Sequence, residues 1–313
     1  MPPRLVRARS PGRQVHARPY TTCCQAALRS AALGLVAAGR GLRVIVAEVA
    51  ARDDVSRALQ GAGSARAGTF TEREVAPGLH HISIDPQDAM REYLSDQLPS
   101  RSLAGILGGS GTFGLLVAAT PGLRELLTVG KVWELAQPGR RTPGARPYDL
   151  VILDAPATGH GVAVLEAPGT FADAARVGPI ARQGRTIATM LSDPARTGVV
   201  AVTTPEEMPV NETLALREAL RDRMGLPVSL TVANRVLPDR FSAADRAALA
   251  GARGSAVRGA LVADARAHQQ RAQVARLRRA LPDVPVRTLP FAFAETFGAG
   301  VLAGLARRLE RSL

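Results

Sequence analysis

The chain has 313 residues, 46% of them hydrophobic and only 4% aromatic, and a formal net charge of +13. Length and apolar content exclude wholesale disorder and allow a large core, while a basic balance carried almost entirely by Arg, with few aromatic stacking platforms, argues against nucleic acid as a partner. Adjacent Cys23 and Cys24 exclude a disulfide framework and zinc spacing, and no run of about 18 apolar residues suits a membrane span, so a reducing cytoplasm fits.

In chain order, residues 1–25 carry five Arg in the first 20 without the apolar stretch of a signal peptide, and read as an atypical leader, disordered or misread. An Ala/Leu helix over 26–39 ends at a glycine, and Leu42 to Glu48 follow as a buried strand. Residues 79–84 make a short alternating strand, and Asp85-Pro86 opens a helix with Met90, Tyr93 and Leu94 on one face. Helical character continues to about residue 136, restarting at Pro121, before a Pro/Gly/Arg linker from Pro138 to Pro147.

Three nearly continuous apolar runs come next, Leu150 to Asp154, Val199 to Thr204 and Val228 to Asn234, the mark of parallel strands covered on both faces. Helices fill 162–192, 211–224, 242–250 and 256–280, and Val284 to Leu289 is a last strand before a C-terminal helix. The fold class is α/β, one doubly wound, mostly parallel sheet over 26–313. Helical additions at about 86–136 and 162–192 form a helical subdomain over the strands' carboxyl ends, where ligands bind.

The central chemical signal is Asp154-Ala-Pro-Ala-Thr-Gly-His160. A carboxylate at the carboxyl end of a parallel strand can hold a magnesium-bound water, and the Thr158-Gly159 turn can offer a backbone N–H to a terminal phosphate. Asp154 alone reads equally well as a strand-ending residue that caps the next helix. Asn234 carries the donor and acceptor that suit an adenine edge, and equally suits a turn.

These residues resemble the switch II segment of the arsenite-pump and guided-entry ATPases, a branch of the P-loop NTPases with a deviant Walker A loop. Pro121-Gly122-Leu123, Leu127 to Lys131, Pro205 to Thr213 and Val232 to Val236 are similar to its actinobacterial members, over about residues 29–310. The resemblance implies Asp154 as the magnesium-side carboxylate and Thr158-Gly159 as the γ-phosphate sensor. Asn234 would read adenine, Leu289-Pro290-Phe291 would close over the base, and Glu206 and Glu212 would lie at a dimer interface. It implies Mg-ATP as cofactor and a homodimer or a heterodimer with a paralogue.

Two departures stand against this pattern. The phosphate loop should occupy about residues 20–28, but Tyr-Thr-Thr-Cys-Cys-Gln-Ala-Ala-Leu has neither the glycines of an N–H nest nor the two lysines of the family loop. The single lysine, Lys131, lies in a helical pattern. Where the family places an acidic residue near the attacking water stand Ala50-Ala51-Arg52, with Asp53 three residues late; Asp53 and Asp54 also read as a simple helix start.

Gly108 to Thr112 lacks the strand and lysine of a phosphate loop, and His16, His80, His81, His160 and His268 show no metal-ligand spacing on a helix. The expectation is an ATPase-like protein coupling Mg-ATP binding and hydrolysis to a conformational change in a client or partner, impaired in catalysis. The alternatives are a pseudo-ATPase partner subunit of an intact paralogue, or a chaperone binding a membrane protein or other hydrophobic client along Phe171, Ile180, Ile187 and Leu191. Core packing explains that stripe more readily.

Overall fold

The computed structural model describes residues 24–49, 52–60, 70–97, 120, 122–142, 144–155, 158–294 and 298–313. Helix α1 (Cys24–Gly39) leads into β1 (Val44–Val49) and α2 (Asp54–Gln60). The hairpin β2 (Arg73–Ala76) and β3 (Leu79–Ile84) precedes α3 (Pro86–Gln97), α4 (Leu123–Leu135) and β4 (Leu150–Asp154). Helices α5 (Thr158–Ala175) and α6 (Pro179–Ser192) then lead to β5 (Val199–Thr203), α7 (Glu207–Met224) and β6 (Val228–Val236). The chain closes with α8 (Ala243–Gly251), α9 (Ser255–Ala280), β7 (Val286–Pro290) and α10 (Ala299–Glu310).

The architecture is α/β with mostly parallel strands, as the apolar runs require, but the strands divide between two sheets. One has the order β2-β3-β1-β4 and the other β5-β6-β7. Among the described residues only β2 runs antiparallel to its neighbour. Its Arg-Glu-Val-Ala sequence buries one apolar side chain, Val75, so it gives no apolar run to read.

Helix α1 joins the two sheets because its small residues serve both. Ala31 and Ala37 pack with Val44, Val46 and Leu79 of the first sheet, and Ala32 and Val36 with Leu230, Val232 and Leu289 of the second. The approach is close at Gly34, where a Cβ would meet Leu79 at 2.7 Å and Val46 at 3.3 Å. A larger residue there would require Leu79 and Val46 to repack.

The helical stretch expected over 162–192 is broken. Arg176 (φ 54°) and Gly178 (φ 99°) take left-handed or open backbone, and Pro179 restarts the helix at its first turn, where its missing N–H costs nothing. Phe171, Ile187 and Leu191 of the proposed groove pack against Leu126, Val129 and Val164, so they line core between α4, α5 and α6.

Candidate functional site

The parallel register sets Ser83, Glu48 and Asp154 side by side at the carboxyl ends of β3, β1 and β4, on one face. All three are buried, Glu48 completely and Asp154 with 5% of its surface exposed. Glu48 Oε2 accepts the backbone N–H of Val55 at 3.0 Å and lies 2.7 Å from His81 Nε2. The other ring nitrogen of His81 lies 3.7 Å from Asp53, which accepts a 2.8 Å hydrogen bond from Arg73. Asp154 Oδ1 accepts the Ser30 hydroxyl at 2.9 Å.

Three oxygens in this row remain without a partner among the described residues: Glu48 Oε1, Asp154 Oδ2 and Ser83 Oγ. Buried polar atoms are ordinarily paired, so an open row of hard oxygen donors calls for an explanation. Burial pushes the Asp154 carboxyl up to about 6, and the charge of Glu48 adds to the rise; the Ser30 hydrogen bond and the charges of Arg52 and Arg29 pull it back. Two carboxylates on neighbouring strand ends match magnesium, which takes one or two carboxylates and keeps several waters. No group of three or more His, Cys, Asp or Glu that could hold a metal occurs among the described residues.

Glu48 is the residue that the sequence did not single out. Its partner His81 is 33 positions away, and only strand pairing reveals the contact. Ala50 and Ala51, at the expected water-side position, lie outside the described residues, whereas Asp53 is tied to Arg73 and His81 and Asp54 pairs with Arg57. Thr158 and Gly159 form the first turn of α5, after two undescribed residues that follow β4 and Ala155.

The other expected residues gather at the ends of the second sheet. Asn234 is buried at 8% exposure, and Phe291 donates its backbone N–H to Val236 at 2.9 Å, holding the chain after β7 against the end of β6. The Phe291 ring lies 5.2 Å below the Arg235 guanidinium and 4.7 Å from Phe293. A cavity of about 70 Å³ opens here between Arg235, Phe291, Thr204, Glu206 and Gln270. Asn234 is not on its wall, Leu289 is core beneath α1, and Pro290 lines a neighbouring depression. Glu206 is exposed 3.7 Å from Arg266, and Glu212 is exposed on α7.

Arg29 connects the two sets. It precedes Ser30, which bonds Asp154 at the end of β4, and Ala32, which packs with Val232 of β6, so the start of α1 lies at the end of β4 and against β6. Residues 24–28, where a phosphate loop would be expected, are helical instead. Lys131 is far from phosphate chemistry: it is buried on α4, 2.7 Å from Glu92, 3.0 Å from Glu134 and 4.9 Å over the Phe70 ring. His80 stacks edge-on against Tyr148, while Gly108 to Thr112 and His16 lie outside the described residues. Among the described residues no helix is long and apolar enough to cross a membrane.

Comparison with known proteins identifies the family of the chain. The model of the anion-transporting ATPase family matches residues 28–183 and 177–311. ATPase BagA of Mycobacterium tuberculosis (strain ATCC 25618 / H37Rv) is 29% identical over 225 residues, 70% of this chain and 64% of that protein. An arsenical pump-driving ATPase of Acidiphilium multivorum is 27% identical over 308 residues, 91% of this chain and 47% of that protein. The chain therefore spans less than two thirds of the length of these relatives. With the family match running through both sheets and taking in Asp154, Asn234 and Phe291, the chain belongs to the anion-transporting ATPase family.

Proposed function

We propose that this family member binds Mg-ATP weakly, hydrolyses it negligibly, and acts as a nucleotide-responsive subunit that pairs with a second copy or with an intact paralogue. One observation carries the reading. The sole lysine, Lys131, is buried and held between Glu92 and Glu134, so no lysine is left to reach a phosphate. Phosphoryl transfer depends on preorganised positive charge, and without it the charge developing on the transferred group is not offset.

The family uses nucleotide and magnesium, and the open oxygens of Glu48, Asp154 and Ser83 fit a hydrated divalent ion. When bound, the ion would supply charge neutralisation at the phosphate oxygens. On this reading Asp154 and Glu48 hold the ion's water shell, and Thr158-Gly159 presents backbone N–H groups to the terminal phosphate. Asn234 and Phe291 take the base side, with Leu289 and Pro290 supporting the loop. Glu206 and Glu212 face a partner protomer, and a hydrophobic client would meet the helical additions over 86–136 and 162–192 of a 26–313 unit working in the cytoplasm.

The test is nucleotide titration and phosphate release for three proteins: the chain as it stands, Asp154→Asn, and a version with residues 20–28 replaced by Gly-Lys-Gly-Gly-Val-Gly-Lys-Ser-Thr. The replacement should raise ATP affinity, with little gain in turnover. Rapid magnesium-dependent turnover by the unmodified chain, abolished by Asp154→Asn, would overturn the reading.

A further inference from the structure

The charged groups at the crossing of the two sheets are unequally served. Asp154 has Ser30, and Glu48 has His81 and Val55. Arg29 has nothing comparable: its Nε is buried without a partner, and no hydrogen bond or ion pair closes on its guanidinium among the described residues. A desolvated guanidinium that no hydrogen bond closes, with only the charge of Asp154 to offset that of Arg235, is costly, and native proteins rarely keep one without a use.

The setting adds to that cost. Arg29 precedes Ser30, whose hydroxyl fixes the end of β4, and Ala31 and Ala32, which pack on different sheets. It therefore stands where α1 passes between the ends of β4 and β6. At the end of β6 stands Arg235, one of three non-glycine residues with positive φ (63°) among the described residues, which lies over Phe291 and lines the 70 Å³ cavity. A left-handed arginine is strained backbone, and such strain concentrates at ligand sites. Burial and the like charge of Arg235 bring Arg29 down to about 10, against the opposing pull of Asp154.

We propose that Arg29 and Arg235 together form an anion cradle that takes the polyphosphate of a nucleotide in place of the absent lysines. The proposal rests on the nucleotide-binding reading and deepens it. Guanidinium groups offer fork-shaped donors that match phosphate oxygens, and unlike lysine they stay charged when partly buried. Arg235 would grip the chain of phosphates from the side of the cavity where Phe291 can cover a base, and Arg29 from the side of Asp154 and the metal-fitting oxygens. The arrangement provides binding without the N–H nest of a phosphate loop, which suits weak affinity and poor turnover.

The experiment is calorimetric titration of the full chain with Mg-ATP and, separately, with sodium tripolyphosphate. Arg29→Gln and Arg235→Gln are compared with Arg276→Gln, a change on α9 whose guanidinium bonds Asn211 away from the cradle. Wild type and Arg276→Gln should bind both probes, and each cradle variant should lose about ten- to a hundredfold, the worth of charge-assisted hydrogen bonds. Without any anion, Arg29→Gln should melt at or above wild type, because it removes a buried cation whose Nε has no hydrogen-bond partner. A melting point well below wild type would assign Arg29 a purely structural role and overturn the cradle. Undiminished binding in both variants would overturn it while leaving the nucleotide reading intact. A wild-type chain that binds neither probe would end both.

Discussion

Opposite faces of the four-stranded sheet carry two clusters of buried charge built on opposite plans. On the α4 face, Lys131 sits between Glu92 and Glu134, Arg140 bonds both Glu134 and Glu72, and the Tyr148 hydroxyl donates to Glu72 at 2.8 Å. Nearly every charge there is closed by another. On the α1 face, Glu48, Asp154 and Ser83 leave open oxygens and Arg29 leaves an open nitrogen. Both clusters combine buried Glu with Arg, so charge alone does not mark function; the lack of closure does.

The acidities of the two clusters differ in the same sense. Burial alone would raise Glu72 and Glu134, but hydrogen bonds and charge from Arg140, with Tyr148 helping Glu72 and Lys131 helping Glu134, outweigh it and hold both below the usual carboxylate range. Asp154, in the open cluster, goes the other way. The largest expected effect therefore comes from opening the closed cluster. Glu134→Ala leaves Lys131 and Arg140 each short of a buried partner and should cost about 3–5 kcal/mol in urea denaturation. A loss below about 1 kcal/mol would mean that the cluster relaxes into solvent and that the contrast is false.

Acid should act on the two clusters with opposite sign. Glu72 and Glu134 have depressed folded-state values, so their contribution is present at neutral pH and is lost as pH falls through those values. Asp154 has a raised value, so its protonated form is favoured by folding. Its contribution is full below the unfolded carboxylate range and is lost as pH rises through about 6. A rise of this size corresponds to about 3 kcal/mol between pH 4 and pH 7. Melting temperatures over that range should show a falling contribution that Asp154→Asn removes, with the variant more stable than wild type by about 2 kcal/mol at pH 7. Parallel pH curves for the two proteins would refute the assignment.

Much of the fold could be read from periodicity, and the site only in part. The strand at Leu150–Asp154 was found to the residue because an apolar run ends at a carboxylate before Ala-Pro. The break between α5 and α6 was also written locally, in Gly178-Pro179, yet the apolar spacing on both sides masked it. The division into two sheets has no local signature: β4 and β5 are both apolar, and which edge finds a neighbour is decided by the whole chain. Asp154 could be read because its motif is contiguous. Glu48, His81, Arg29 and Arg235 could not, since each owes its role to strand register or to a helix crossing that brings distant positions together.

The smallest predicted effect tests whether Ser30 belongs to the open cluster or merely to the packing of α1. Its hydroxyl donates to Asp154 Oδ1, and that bond is the main influence limiting the upward pKa shift of Asp154. Ser30→Ala should therefore lower stability at pH 7 by about 1 kcal/mol and move the Asp154 titration upward, readable by NMR of the carboxyl carbon. If the effect runs through Asp154, it should fall to within about 0.5 kcal/mol of zero in an Asp154→Ala background, because nothing is then left to accept the bond. An equal loss in both backgrounds would instead place Ser30 among the small residues, such as Ala31 and Gly34, that let α1 lie close to the sheet.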